Sequence, residues 1–72
     1  MEDTLFALRG DHITLDALLK ATGLAHSGGG AKVLIAEGQV QVNGEVDTRR
    51  GRKVRAGDIV QLGDHRVQVQ RP

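Results

Sequence analysis

Seventy-two residues with no cysteine make one small domain that neither a disulfide nor a thiolate-held zinc can staple. Ten basic residues against nine acidic ones leave a net charge of +1, so the overall balance by itself names no partner. The longest strongly apolar run, Val33-Leu34-Ile35-Ala36, falls far short of the ~20 residues that cross a bilayer, and the Met-Glu-Asp start lacks the basic segment and apolar core of a secretory signal; a soluble, cytoplasmic chain with no membrane partner is expected.

Thr4 to Leu8 reads as a short first strand. Thr14 then stands as the N-cap of a helix running to Thr22. Leu15, Leu18 and Leu19 recur at helical spacing, Asp16 suits the positive end of the helix dipole, and Gly23 can take the left-handed conformation that ends the helix. Ser27 is the next N-cap. Gly28, Gly29 and Gly30 follow it, each about 1 kcal/mol poorer than alanine in a helix interior, so a loop or a loosely wound first turn is expected there. Ala31 to Glu37 continue as a helix that Gly38 closes, and the tight linker predicts that the two helices pack on each other.

Val40 to Val46 alternate around Asn43-Gly44, a strong hairpin signal. A strict two-residue turn would pair Val42 with Glu45 and Val40 with Asp47, sending Val46 to the opposite face; either the loop is longer or both faces are partly covered. Ala56-Gly57-Asp58 is a turn before a strand at 59–62, and Gly63-Asp64 turns the chain into a last strand at 65–70, where Val67 and Val69 alternate with polar neighbours. The expected architecture is α+β: two short packed helices against a small, mainly antiparallel sheet, one domain over residues 1–72.

Charge is unevenly spread. Arg49, Arg50, Arg52, Lys53 and Arg55 fall within seven positions that no acid interrupts. Such a cluster is an electrostatic footprint for polyanions, nucleic acid first among them; the bland alternative is a solvated loop. Arg66 and Arg71 read as ordinary surface residues. Phe6 is the only aromatic side chain and reads as core, so the platform of stacked aromatics that reads single strands is missing; recognition of shape and phosphate fits better. Enzyme chemistry finds no inventory. Gly28 to Lys32 lacks the ending and spacing of a P-loop, His12, His26 and His65 are scattered, and Ser27 beside His26 has no identifiable third member. No cofactor is implied.

The run Ser27-Gly28-Gly29-Gly30-Ala31-Lys32-Val33-Leu34-Ile35-Ala36-Glu37-Gly38-Gln39-Val40-Gln41-Val42-Asn43-Gly44 resembles the αL RNA-binding motif, the domain named for the fourth small-subunit ribosomal protein. That domain also occurs in pseudouridine synthases, a tyrosyl-tRNA synthetase and a heat-shock protein. The resemblance continues through Val54, Ala56-Gly57-Asp58 and Ile59 and covers about residues 14–62. The Ser-Gly-Gly-Gly-Ala-Lys variant is most similar to free-standing bacterial YbcJ-type proteins.

The resemblance implies a non-catalytic, monomeric protein that holds structured RNA, ribosomal or transfer, through a helix face and the basic loop. It points to Lys32, to Asn43 at the turn, and to Arg49, Arg50, Arg52, Lys53 and Arg55. Relatives carry arginine just after the capping serine, where this chain has Gly28. The amides of Gly28, Gly29 and Gly30 beside Ser27, at the positive end of a helix, are a replacement phosphate contact; alternatively the glycines only let two helices turn and pack. Two other functions compete: a protein-interaction module of a ribosome-associated complex, and a small-anion binder.

Overall fold

The computed structural model describes residues 2–72. In chain order the elements are β1 (Glu2–Ala7), β2 (Ile13–Thr14), α1 (Leu15–Ala21), α2 (Gly28–Ala36), β3 (Val40–Val42), β4 (Glu45–Val46), β5 (Lys53–Val54), β6 (Ile59–Leu62) and β7 (His65–Gln70). Five strands form one sheet in the order β1-β7-β6-β3-β4, while β2 and β5 make a separate small antiparallel pair. Every pairing in the larger sheet is antiparallel except β1 with β7. The expected α+β architecture is what the chain adopts.

One face of the sheet carries the core. Val40, Val42, Val60, Val67 and Val69 are buried and pack with Leu15, Leu18 and Leu19 of α1 and with Ala31 and Ile35 of α2. The three leucines are fully buried. Burying such a side chain is worth roughly 1.5–3 kcal/mol, and α1 needs it: seven residues are too few for a helix to persist alone. Phe6, the expected core aromatic, is partly buried against the same cluster. The opposite face stays open, with Gln41, Gln61 and Gln68 alternating with the buried valines. Among the described residues no helix is long and apolar enough to cross a membrane.

The ends of the elements teach more than their middles. Thr14 does sit at the N-cap position of α1 with extended backbone, but its side chain makes no cap bond. The amides of Leu15 and Asp16 instead donate to the carbonyls of Arg52 and Arg50, at 2.9 and 3.1 Å. A tertiary contact thus does the work expected of a local one, and it lays the basic segment across the start of α1. At α2 the first of the two expectations, a loop, is excluded: the glycines form the first turn of the helix, which begins at Gly28. Ser27 makes this possible, because its Oγ accepts the Gly30 amide at 3.0 Å and its carbonyl accepts that of Ala31 at 3.0 Å.

The hairpin has the strict two-residue turn, pairing Val42 with Glu45 and Gln41 with Val46. Asn43 and Gly44 take φ of 54° and 86°, the left-handed values of a type I′ turn. Val46 is accordingly left 56% exposed on the open face, and Asp47, whose amide bonds Val40 O, turns inward and is buried.

Candidate nucleic-acid interface

The basic segment is folded around that buried aspartate. Arg49 forks onto Asp47, Nε to Oδ1 at 3.1 Å and Nη2 to Oδ2 at 2.9 Å, and the Arg49 amide also donates to Oδ1 at 2.9 Å. Arg52 Nη1 reaches Oδ2 at 2.8 Å. The Arg49 guanidinium, opposed by burial and reinforced by the Arg49 amide and Arg52, holds the Asp47 carboxyl far below the usual carboxylate range. Asp47 in turn holds Arg49 still more firmly protonated.

The remaining cations are placed differently. Lys53 is not in a loop: with Val54 it forms β5, which pairs with Ile13 and Thr14, and Val54 is fully buried. The expectation of a basic loop is therefore corrected at its C-terminal half, which is strand. Arg55 lies 3.9 Å from Asp11. Among the described residues neither Arg50 nor Lys53 pairs with a carboxylate, and both are exposed. Arg49, Gly51, Arg52, Lys53 and Arg55 together line an open groove of about 530 Å³.

Asn43 serves the fold. Its Oδ1 accepts the Ile59 amide at 2.9 Å and its Nδ2 donates to Asp58 Oδ1 at 3.0 Å, an arrangement that only one orientation of the amide can satisfy. Asp58 Oδ2 accepts the Arg55 amide at 2.8 Å. Burial pushes the Asp58 carboxyl up, but these bonds and the nearby arginines win and lower it. The Val42-Asn43-Gly44 and Gly57-Asp58-Ile59 segments are thus two halves of one latch, which also fixes the Arg55 backbone.

Ser27, Gly28, Gly29, Gly30 and Lys32 do not line that groove; they form the exposed start of α2. Nothing in the fold asks for glycine there. None of the three has positive φ, a Cβ on Gly28 would meet no atom within 4 Å, and one on Gly29 or Gly30 would meet only Ser27 Oγ, at 3.9 and 3.4 Å. The helix-packing explanation of these glycines finds no support. His12 lies 3.4 Å from Asp11 and His65 3.3 Å from Glu2, each beside a different carboxylate. Among the described residues no three metal-ligating side chains converge.

A family model described as the S4 domain matches residues 6–70. The chain belongs to the S4 domain family. This S4 domain is 50% identical over 58 residues to the Escherichia coli (strain K12) protein named "Putative RNA-binding protein YbcJ", covering 81% of this chain and 83% of that one. It is 48% identical over 50 residues to the Bacillus subtilis (strain 168) protein named "Probable ribosome maturation protein RlbA", covering 69% and 70% of the two chains. The solution structure of Escherichia coli YbcJ, described as revealing an αL motif involved in RNA binding, superposes with a TM-score of 0.73 at 46% identity, over 93% of this chain and 86% of that one. The αL motif and YbcJ-type resemblance, read over about residues 14–62, is therefore confirmed.

Sequence reasoning missed Asp47 as the organiser of the cluster and Asp58 as the partner of Asn43. A signal existed for the first. The strict hairpin register puts Asp47 opposite Val40, on the core side, where a carboxylate stays charged only if cations close over it.

Proposed function

We propose that this S4 domain is a non-catalytic binder of structured RNA, ribosomal or transfer RNA, acting through phosphates rather than bases. The observation that carries the reading is the groove in which Arg49, Arg52, Lys53 and Arg55 converge. Guanidinium groups form paired bonds to phosphate oxygens, and a fixed row of them matches a backbone of fixed curvature. The names of the relatives support RNA as the polyanion, and the one named for ribosome maturation makes ribosomal RNA the first probe. The αL residues, 14–62, carry the contacts, with the whole chain acting as a single monomeric domain.

The start of α2 joins the same function. Bare amides at Gly28 and Gly29, which have no acceptor within their own helix, bind a phosphate, and Lys32 adds charge one turn on. This accounts for glycines that neither backbone conformation nor packing requires.

Fluorescence anisotropy with a labelled ribosomal RNA hairpin tests the proposal. If four groove cations neutralise four phosphates, log affinity against log salt falls with a slope near about −3. Replacing Arg50, Lys53 and Arg55 together by glutamine flattens that slope and weakens binding while the fold persists, because none of the three side chains bonds the buried Asp47. Affinity indifferent to salt, or unchanged in the triple variant, removes the phosphate mechanism.

A further inference from the structure

We propose that Asp47 is a positioning residue for RNA: it aims the Arg49 and Arg52 guanidiniums into the groove, so that a negative charge inside the basic patch strengthens binding. This rests on the RNA-binding reading above.

The geometry is specific. The Asp47 side chain is 8% exposed while that of Arg49 is 71% exposed and that of Arg52 is 29% exposed, so the carboxylate lies beneath and the cations above it. Arg49 spends Nε–H and one Nη2–H on Asp47, leaving the opposite edge of its planar fork free. Arg52 spends only an Nη1–H. One buried anion therefore fixes the Arg49 plane through two bonds and tethers Arg52 through one, while most of their donors stay available in the groove. Arginine on a mobile stem loses rotamer freedom when it binds; here that ordering is completed in the free protein, which is preorganisation. The same carboxylate is tied to the scaffold through the Asp47 amide on Val40 O, and the Arg52 carbonyl is held by the Leu15 amide. The spacing of the two cations is thus set by the hairpin and by α1.

Charge and positioning predict opposite signs. By charge alone, Asp47→Asn adds one net positive charge to the patch and must tighten RNA binding. By positioning, the variant frees both guanidiniums and weakens it, by about five- to tenfold for a structured hairpin. Its slope against salt does not diminish, since every cation remains. Discrimination also narrows: the preference for a folded hairpin over single-stranded poly-uridine of equal length drops towards parity.

The experiment measures affinity and salt slope of the full chain and of Asp47→Asn for both RNAs, with circular dichroism and thermal unfolding alongside. Weaker hairpin binding with an undiminished slope and reduced discrimination supports the proposal. Equal or tighter hairpin binding by a folded Asp47→Asn overturns it. Should Asp47→Asn not stay folded, Arg49→Lys decides: it keeps the charge but not the fork, so positioning expects the same loss and full affinity refutes it. A wild-type chain that binds neither RNA overturns the functional reading instead.

Discussion

At the scale of single residues, Asp47 and Asn43 carry consequences out of proportion to their exposure. The folded carboxyl of Asp47 titrates below its unfolded value of about 4, because Arg49 and Arg52 favour the charged form. A lowered folded value means that its contribution is present above about pH 4 and is lost as pH falls from there through the folded value. Wild type should exceed Asp47→Asn by about 2 kcal/mol near neutrality, and the gap should close progressively below pH 4. Chemical denaturation across that range measures it; a constant gap would mean that the ion pairs contribute nothing to the difference. Asn43 separates conformation from bonding. Asn43→Gly keeps the left-handed turn and loses the latch to Asp58 and Ile59, for about 1 kcal/mol, whereas Asn43→Ala loses the latch and strains φ, for about 2–3 kcal/mol. Equal losses for the two would place the whole effect in the side-chain bonds.

At the scale of elements, the start of α2 offers a test in which stability and binding part company. A methyl at Gly28 or Gly29 meets open space or an ordinary contact, so alanine there should stabilise the helix by about 0.5 kcal/mol or less. If phosphate sits on those amides, the same methyl obstructs it and RNA affinity falls; higher melting temperature with weaker binding is the expected pair. Ser27→Ala should lower stability by about 1 kcal/mol, since it removes the acceptor of the Gly30 amide. The elements that sequence made legible are those whose cause is local. Leucine spacing marked α1, Asn43-Gly44 marked the hairpin, and Gly63-Asp64 marked the last turn, each in place. Where the cause is tertiary, local reading stops short. Thr14 holds the N-cap position expected of it, but the acceptors at the start of α1 are the carbonyls of Arg50 and Arg52, far along the chain; at α2 glycine propensity left loop and helical turn open, and the Ser27 cap decides for the turn. A two-residue strand such as β5 leaves no alternation to detect; the lone Val54 amid cations was its one trace. For the interface, the charges were visible in sequence, but not which of them are anchored and which stand free.

At the scale of the whole molecule, the sheet is closed by its most distant residues. Glu2 sits beside His65 and Ala7 beside Gln70, and Arg66 donates two bonds of 2.9 Å to Asp3, 63 positions away, across the pair. The amides of Glu2 and Leu8 point to the Asp64 and Gln70 carbonyls, so even-numbered amides of β1 face β7 and odd-numbered ones face solvent. Hydrogen exchange should show that alternation, with Thr4 and Phe6 slower than Asp3, Leu5 and Ala7; uniform exchange along β1 would mean that the strand comes away as a unit. The parallel pair also sets an order in time. On a ribosome adding roughly 5–20 residues per second, β1 is made first and must wait on the order of 3–13 s for its partner to be synthesised. Throughout that interval the hairpin and both helices can assemble among themselves, while Leu5 and Phe6 travel without a strand to lie against.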